Sequence, residues 1–201
     1  MGYVARLTRR SEGMLDATLR GDVATMAEVI EAAHDQEVPL LRYANEADLA
    51  ALVNLVYLAT RDRYAVRREE PAGKGVADVT FIPRNLAEAR WRPFIVELKT
   101  GGTAAEAVAQ IRKRDYAALF ADGLLGKRGS ARSLAVGIAW DPKTKTHDCL
   151  VEELQVVPLL PGRIVRVFRP YSGQSCKMAR KEPRVRRAHG GFEARWLSFP
   201  G

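Results

Sequence analysis

The chain has 201 residues, of which 47% are apolar, and these values suit one globular domain with appendages. No run of about 18 apolar residues is present, and the N-terminal segment lacks the apolar centre of a signal peptide, so we expect neither a membrane span nor a secretory leader. Two cysteines are too few for a disulfide framework, which makes a cytoplasmic location the simplest expectation.

The net charge of +8 belongs to the C-terminal part of the chain. Residues 155–201 contain ten Lys or Arg and two Asp or Glu, whereas residues 1–154 contain 22 of each sign. A basic segment attracts a phosphate backbone without reading its sequence, and a basic extension with no partner is the alternative. We therefore expect an N-terminal extension at residues 1–20, a domain at 21–154 and a basic C-terminal extension at 155–201.

Two helices are predicted in the first third of the chain. Apolar residues recur at helical spacing in residues 21–33 and again in residues 40–61. Asp22 is suited to cap the first helix, and Asn45 or Asp48 is suited to cap the second.

Five stretches have the apolar character and the bounding Pro, Gly or Asp residues of strands. They are residues 64–69, 76–82, 94–99, 134–140 and 148–154.

Residues 103–120 are predicted to form a helix directly after the strand at residues 94–99. Thr103 and Glu106 have the spacing of a capping box, which marks the start of a helix. The basic run at residues 112–114 is interpreted as a solvated face of this helix.

Charged residues interrupt two of the predicted strands. Asp78 lies in the first of them, and Glu97 and Lys99 share one face of the second because side chains alternate along a strand. If the strands are neighbours, the two carboxylates suit Mg²⁺, and the lysine suits orienting water or stabilising charge on a phosphoryl group. The alternative is a solvated ion pair of Glu97 and Lys99 on an edge strand, with Asp78 in a turn.

The pattern of Asp78, Glu97 and Lys99 resembles the D…ExK signature of the PD-(D/E)XK nuclease superfamily. The wider chain, over roughly residues 21–153, is similar to the PD-(D/E)XK domain that follows an AAA-type ATPase-like domain in one bacterial family. Three segments carry this similarity: EPAGKGVADVTFIP, FIVELK and A-x-x-Q-I-x-x-x-x-Y. The resemblance implies an α/β restriction-endonuclease-like core, with a mixed sheet of about four to five strands flanked by helices.

The resemblance also implies roles for residues outside the signature. Glu46 matches a glutamate of the first core helix; the alternative is that it only complements the helix dipole from the first turn. Glu69 or Glu70 matches a glutamate before the glycine turn, with Glu70 slightly favoured. Gln110 and Tyr116 match a supporting Gln/Tyr pair. No G-x-x-x-x-G-K-[ST] phosphate-binding loop is present, so an ATPase-like domain is expected only as a partner.

The function expected from these residues is metal-dependent hydrolysis of phosphodiester bonds in nucleic acid, DNA rather than RNA, with Mg²⁺ or Mn²⁺ as cofactor. The alternative is an inactive nuclease-like module that binds nucleic acid or a partner ATPase. We expect no membrane partner and allow for a homodimer. The expected catalytic residues are Asp78, Glu97, Lys99 and Gln110, and the expected metal ligands are Asp78, Glu97, Glu70 and Glu46.

Overall fold

The computed structural model describes residues 2–37, 46–72, 75–85, 87–114, 132–160 and 163–171. Within these ranges it describes every side chain except those of residues 70–72, 76, 155–160, 163–168 and 170. In chain order the elements are α1 (Tyr3–Arg20), α2 (Val23–Glu37), α3 (Glu46–Val56), a short 3-10 helix (Leu58–Asp62), β1 (Tyr64–Ala72), β2 (Gly75–Pro83), β3 (Phe94–Thr100), α4 (Ala104–Lys113), β4 (Arg132–Asp141), β5 (Thr146–Leu160) and β6 (Arg163–Pro170).

The six strands form one mixed sheet in the order β1-β2-β3-β4-β5-β6. β3 and β4 are parallel, and every other neighbouring pair is antiparallel. A parallel pair needs a crossover connection, and α4 lies in the connection between β3 and β4. The expected α/β class, with a mixed sheet flanked by helices, is confirmed, and the sheet has one strand more than expected.

Helices cover both faces of the sheet. α1, α2 and α3 pack on one face, where Phe94, Val96 and Leu98 of β3 join their apolar residues in a single core. α4 packs on the other face through residues that include the fully buried Ala107 and Ile111. Because side chains alternate along β3, the residues between the three core positions face α4.

The N-terminal segment is part of the folded core and is not an extension. α1 buries Met14 and packs against α2, α3 and the 3-10 helix. Two of its buried positions carry polar side chains that are satisfied internally. The Ser11 hydroxyl accepts the Ala59 N–H at 2.8 Å, and Thr18 shares a 2.7 Å hydrogen bond with the Tyr57 hydroxyl. Because these buried positions carry polar residues, the spacing of apolar residues alone does not reveal the buried face of α1.

The predicted cap of α2 is confirmed, but the predicted end of the helix is wrong. Asp22 accepts the N–H of Thr25 at 3.1 Å, as an N-cap does. The helix then continues to Glu37, four residues beyond the predicted end at residue 33. In the described part of the chain, none of the helices combines the length and the apolar character that crossing a bilayer requires.

The helix predicted at residues 40–61 is shorter than expected. Its described part is α3, which ends at Val56 and is followed by the separate 3-10 helix. Asp48 lies inside α3, so it is not the N-cap, while Asn45 and the start of the predicted helix fall outside the described residues.

The predicted boundary at residue 155 divides a strand. β5 runs to Leu160 and is not the last strand, because β6 pairs with it from Arg163 onward. β6 reads RIVRVFRP, so pairs of apolar residues separate its arginines. Because the extension was predicted from the count of charges alone, it wrongly included β6. Residues 172–201, which hold the rest of that extension, lie outside the described residues.

Candidate active site

The sheet opens between β2 and β3. The ladder between these strands pairs only three residues of each and ends at Val79 and Val96, whereas β3 stays paired with β4 to its last residue. The residue before Val79 is Asp78, and its Oδ2 accepts the Leu98 N–H at 2.8 Å. A side chain thus satisfies a backbone donor where the ladder stops, and the opening it borders contains the predicted acidic residues.

The structure brings Asp78 and Glu97 together at this opening. The register that pairs Val79 with Val96 makes Asp78 and Glu97 the next opposed positions, on the face covered by α4. Burial and, after it, the nearby Asp78 carboxylate raise the pKa of Glu97 from an ordinary 4.5 to about 8. Only 1% of Glu97 is exposed, so a charged carboxylate at this position needs a cation nearby.

Lys99 and Glu46 complete the charge pattern around Asp78. Burial raises the pKa of Asp78, the Leu98 N–H lowers it, Glu46 raises it, and Lys99 lowers it. Glu46 is the first residue of α3, which packs on the opposite face of the sheet from α4, so its influence on Asp78 fits an opening between the strands. Lys99 also lowers the pKa of Glu97, so its positive charge acts on both acids.

Gln110 holds one oxygen of Glu97. Its Nε2 donates to Glu97 Oε1, whereas Glu97 Oε2 is buried and has no hydrogen-bond partner among the described residues. A buried acceptor without a partner is costly, and a hard divalent cation is a suitable partner for a carboxylate oxygen. The residues present therefore fit Mg²⁺ or Mn²⁺.

A metal at this site would need ligands in addition to Asp78 and Glu97. Within the described ranges, no group of three or more His, Cys, Asp or Glu side chains is arranged to hold a metal ion. Mg²⁺ commonly binds one or two carboxylates and completes its shell with water and substrate phosphate oxygens. Asp78 and Glu97 match that smaller set.

The placement of Gln110 follows from the way α4 is anchored at its start. Thr103 and Glu106 form the predicted capping box, with both of its hydrogen bonds present. The Ala104 N–H donates to Asp148 Oδ2 of β5 at 3.0 Å. Gly137 of β4 lets the helix come close, because a Cβ at this position would lie 2.2 Å from the Ala104 carbonyl oxygen. These contacts fix α4 against the sheet with Gln110 over Glu97.

The other glutamates of the prediction are not placed at the acidic pair by any contact that the structure describes. Glu69 faces Asp78 in the strand register, but it is exposed and has a left-handed φ of 49°. Glu70 pairs with Ala77 through the β1–β2 ladder, and its side chain lies outside the description. Tyr116 and the rest of residues 115–120, where the predicted helix would continue, also lie outside the described residues. The described helix, α4, ends at Lys113.

The interpretation of residues 112–114 as a solvated face agrees with their exposure, since all three side chains are exposed. Two of the three also interact with acidic side chains. Arg112 forms an ion pair with Glu152 of β5. Arg114, the C-cap of α4, lowers the pKa of both carboxyls of the acidic pair. Sequence reasoning missed Arg114, although its spacing from the predicted Gln110 is one helical turn.

Comparisons of the chain with protein-family models, with curated proteins and with solved structures found no match in any of the three.

Proposed function

We propose that the chain is a metal-dependent phosphodiesterase that hydrolyses nucleic acid, with a restriction-endonuclease-like core of the PD-(D/E)XK type. The observation that carries this proposal is the buried Glu97 carboxylate opposite Asp78. One of its oxygens is held by Gln110, and the other has no partner among the described residues. A solvated ion pair on an edge strand, the simpler interpretation, does not explain a glutamate that is 1% exposed in a central strand.

Asp78 and Glu97 would hold the cation, Mg²⁺ or Mn²⁺, and Glu46 would add negative charge beside Asp78. When bound, such an ion polarises a phosphoryl oxygen and lowers the pKa of a coordinated water. The chain orients both ligands before any cation arrives, since Leu98 N–H fixes Asp78 and Gln110 fixes Glu97.

Lys99 would act on the reacting groups. It lies on the same face of β3 as Glu97 and interacts electrostatically with both acids. Its ammonium would orient the attacking water and stabilise the negative charge that develops on the phosphoryl oxygens. The water oxygen forms a bond to phosphorus, the bond to the leaving ester oxygen breaks, and that oxygen takes up a proton.

The test is a cleavage assay with Mg²⁺ or Mn²⁺ on single- and double-stranded DNA, and then on RNA. We expect the parent chain to cleave, and Asp78→Ala and Lys99→Ala each to lower the rate of cleavage by about 100-fold or more. The control variant Lys143→Ala should cleave as fast as the parent. Lys143 is an exposed lysine in the turn after β4, so it matches the charge change of Lys99→Ala.

Equal cleavage by Asp78→Ala, Lys99→Ala and the parent would contradict the proposal. Nucleic-acid binding that persists in EDTA without any cleavage would instead identify the inactive binding module, the alternative that the sequence allows.

A further inference from the structure

Helix α4 has two flanks that face different parts of the sheet. On one flank Gln110 reaches Glu97 of β3, and on the other Arg112 reaches Glu152 of β5. The flank that carries Gln110 therefore faces the opening between β2 and β3, and the flank that carries Arg112 faces away from it.

Arg114 continues the flank that faces the opening. Its N–H donates to the Gln110 carbonyl at 2.9 Å, so it lies one turn, or about 6 Å, farther along the helix axis. It also follows the fully buried Ala107 and Ile111 at spacings of seven and three residues, which places its backbone on the edge of the helix next to the sheet. Lys113 is turned by about 100° from Arg114, and both side chains are exposed.

We propose that Arg114 binds a phosphate group of the substrate at the opening, opposite Lys99, so that cations from α4 and β3 hold the anion between them. This inference rests on the proposed phosphodiesterase function and adds a substrate-binding residue that the nuclease signature does not contain.

The electrostatics of the opening favour such a residue. Asp78 and Glu46, and Glu97 when it is ionised, repel an approaching phosphodiester, and the carbonyl groups at the end of α4 also disfavour an anion. The Arg114 guanidinium lowers the pKa of both Asp78 and Glu97, so its positive charge offsets part of this repulsion. A planar guanidinium can also donate two parallel hydrogen bonds to phosphate oxygens, which gives direction as well as charge.

A second explanation is that Arg114 only compensates the helix dipole at the end of α4. Lys113 distinguishes the two explanations, because it has the same charge in the same turn but lies outside the flank that faces the opening. A dipole effect is shared by both residues, whereas phosphate binding at the opening belongs to Arg114.

The experiment measures the affinity of a fluorescently labelled oligodeoxynucleotide by anisotropy, with Ca²⁺ in place of Mg²⁺, for the full chain and three variants. We expect Arg114→Ala to weaken binding by about tenfold or more, as the loss of a charged hydrogen bond does. Arg114→Lys should weaken it less, and Lys113→Ala by less than about threefold. The slope of log affinity against log salt should fall by about 0.7–0.9 for Arg114→Ala.

Equal losses for Arg114→Ala and Lys113→Ala, at matched urea midpoints, would overturn the inference. Cleavage is measured in parallel so that the two proposals can fail separately. A parent that binds through Arg114 without cleaving supports the inference and removes the phosphodiesterase function. A parent that cleaves, with unchanged affinity in Arg114→Ala, supports the phosphodiesterase function and overturns the role of Arg114. A parent that neither binds nor cleaves overturns both proposals.

Discussion

Replacing Glu97 with glutamine should stabilise the metal-free protein at alkaline pH while removing the proposed cation ligand. Burial and the neighbouring Asp78 raise the pKa of Glu97 from 4.5 to about 8. Between these values the folded chain keeps a proton that the unfolded chain releases, so the free energy of unfolding falls as pH rises through this window. At 1.36 kcal/mol for each pH unit, the decrease reaches about 5 kcal/mol by pH 8.

Glutamine has nearly the shape of glutamate and stays neutral, so Glu97→Gln lacks this decrease. The measurement is urea unfolding of parent and variant at a series of pH values from 4 to 9, compared as a difference at each pH. We expect the difference to be constant below pH 4.5 and to grow in favour of the variant up to about pH 8. Glu28→Gln, which removes an exposed carboxyl from α2, controls for the loss of one negative charge.

Mg²⁺ supplies the second half of this test. A ligand that binds only the folded chain raises its stability by about 2.7 kcal/mol at 100 times its dissociation constant. At pH 8 we expect Mg²⁺ to stabilise the parent and to leave Glu97→Gln nearly unchanged. Parallel pH profiles for the two proteins would refute the argument from burial, and equal stabilisation by Mg²⁺ would refute the assignment of Glu97 as a ligand.

The remaining predictions concern the anchoring of α4. Gly137→Ala should lower the free energy of unfolding by about 1–3 kcal/mol, because the added methyl group would lie 2.2 Å from the Ala104 carbonyl oxygen. Urea unfolding measures this change, and an unchanged midpoint would contradict the prediction. Gly13→Ala in α1 is the matched control with the opposite expected sign, a gain of about 0.5–1 kcal/mol, since no atom lies within 4 Å of its added methyl. Thr103→Ala should cost about 1 kcal/mol by removing the hydrogen bond to the Glu106 N–H, and Thr103→Ser should restore most of it; equal stability of all three chains would show that the cap contributes little.

The features that the sequence predicts well are local. β3 lies between Pro93 and Gly101, its alternate residues are apolar, and the placement of Glu97 and Lys99 on one face follows from the geometry of a strand. The start of α4 is marked equally clearly, since the capping box needs only Thr103 and Glu106 at the right spacing.

The features that the sequence did not predict depend on contacts between distant segments. α1 belongs to the core because Ser11 and Thr18 find hydrogen-bond partners 48 and 39 residues away, which no periodicity of apolar residues reveals. β6 was assigned to an extension because its arginines dominate the count of charges. The electrostatic effect of Arg114 on Asp78 and Glu97 was not predicted, because it depends on which flank of α4 faces β3.

The two acids at the opening are each oriented through one oxygen by a different part of the fold. Asp78 accepts the N–H of Leu98 through Oδ2, and Glu97 accepts the amide of Gln110 through Oε1. The first contact depends on the ladder between β2 and β3 stopping at Val79. In a continued ladder, a backbone carbonyl of β2 would accept the Leu98 N–H in place of the Asp78 side chain. The second depends on the close approach of α4 to β4. The opening in the sheet and the packing of the helix therefore position both acidic side chains before any cation or substrate arrives. The free energy needed to bring these two groups together is supplied by folding and not by binding.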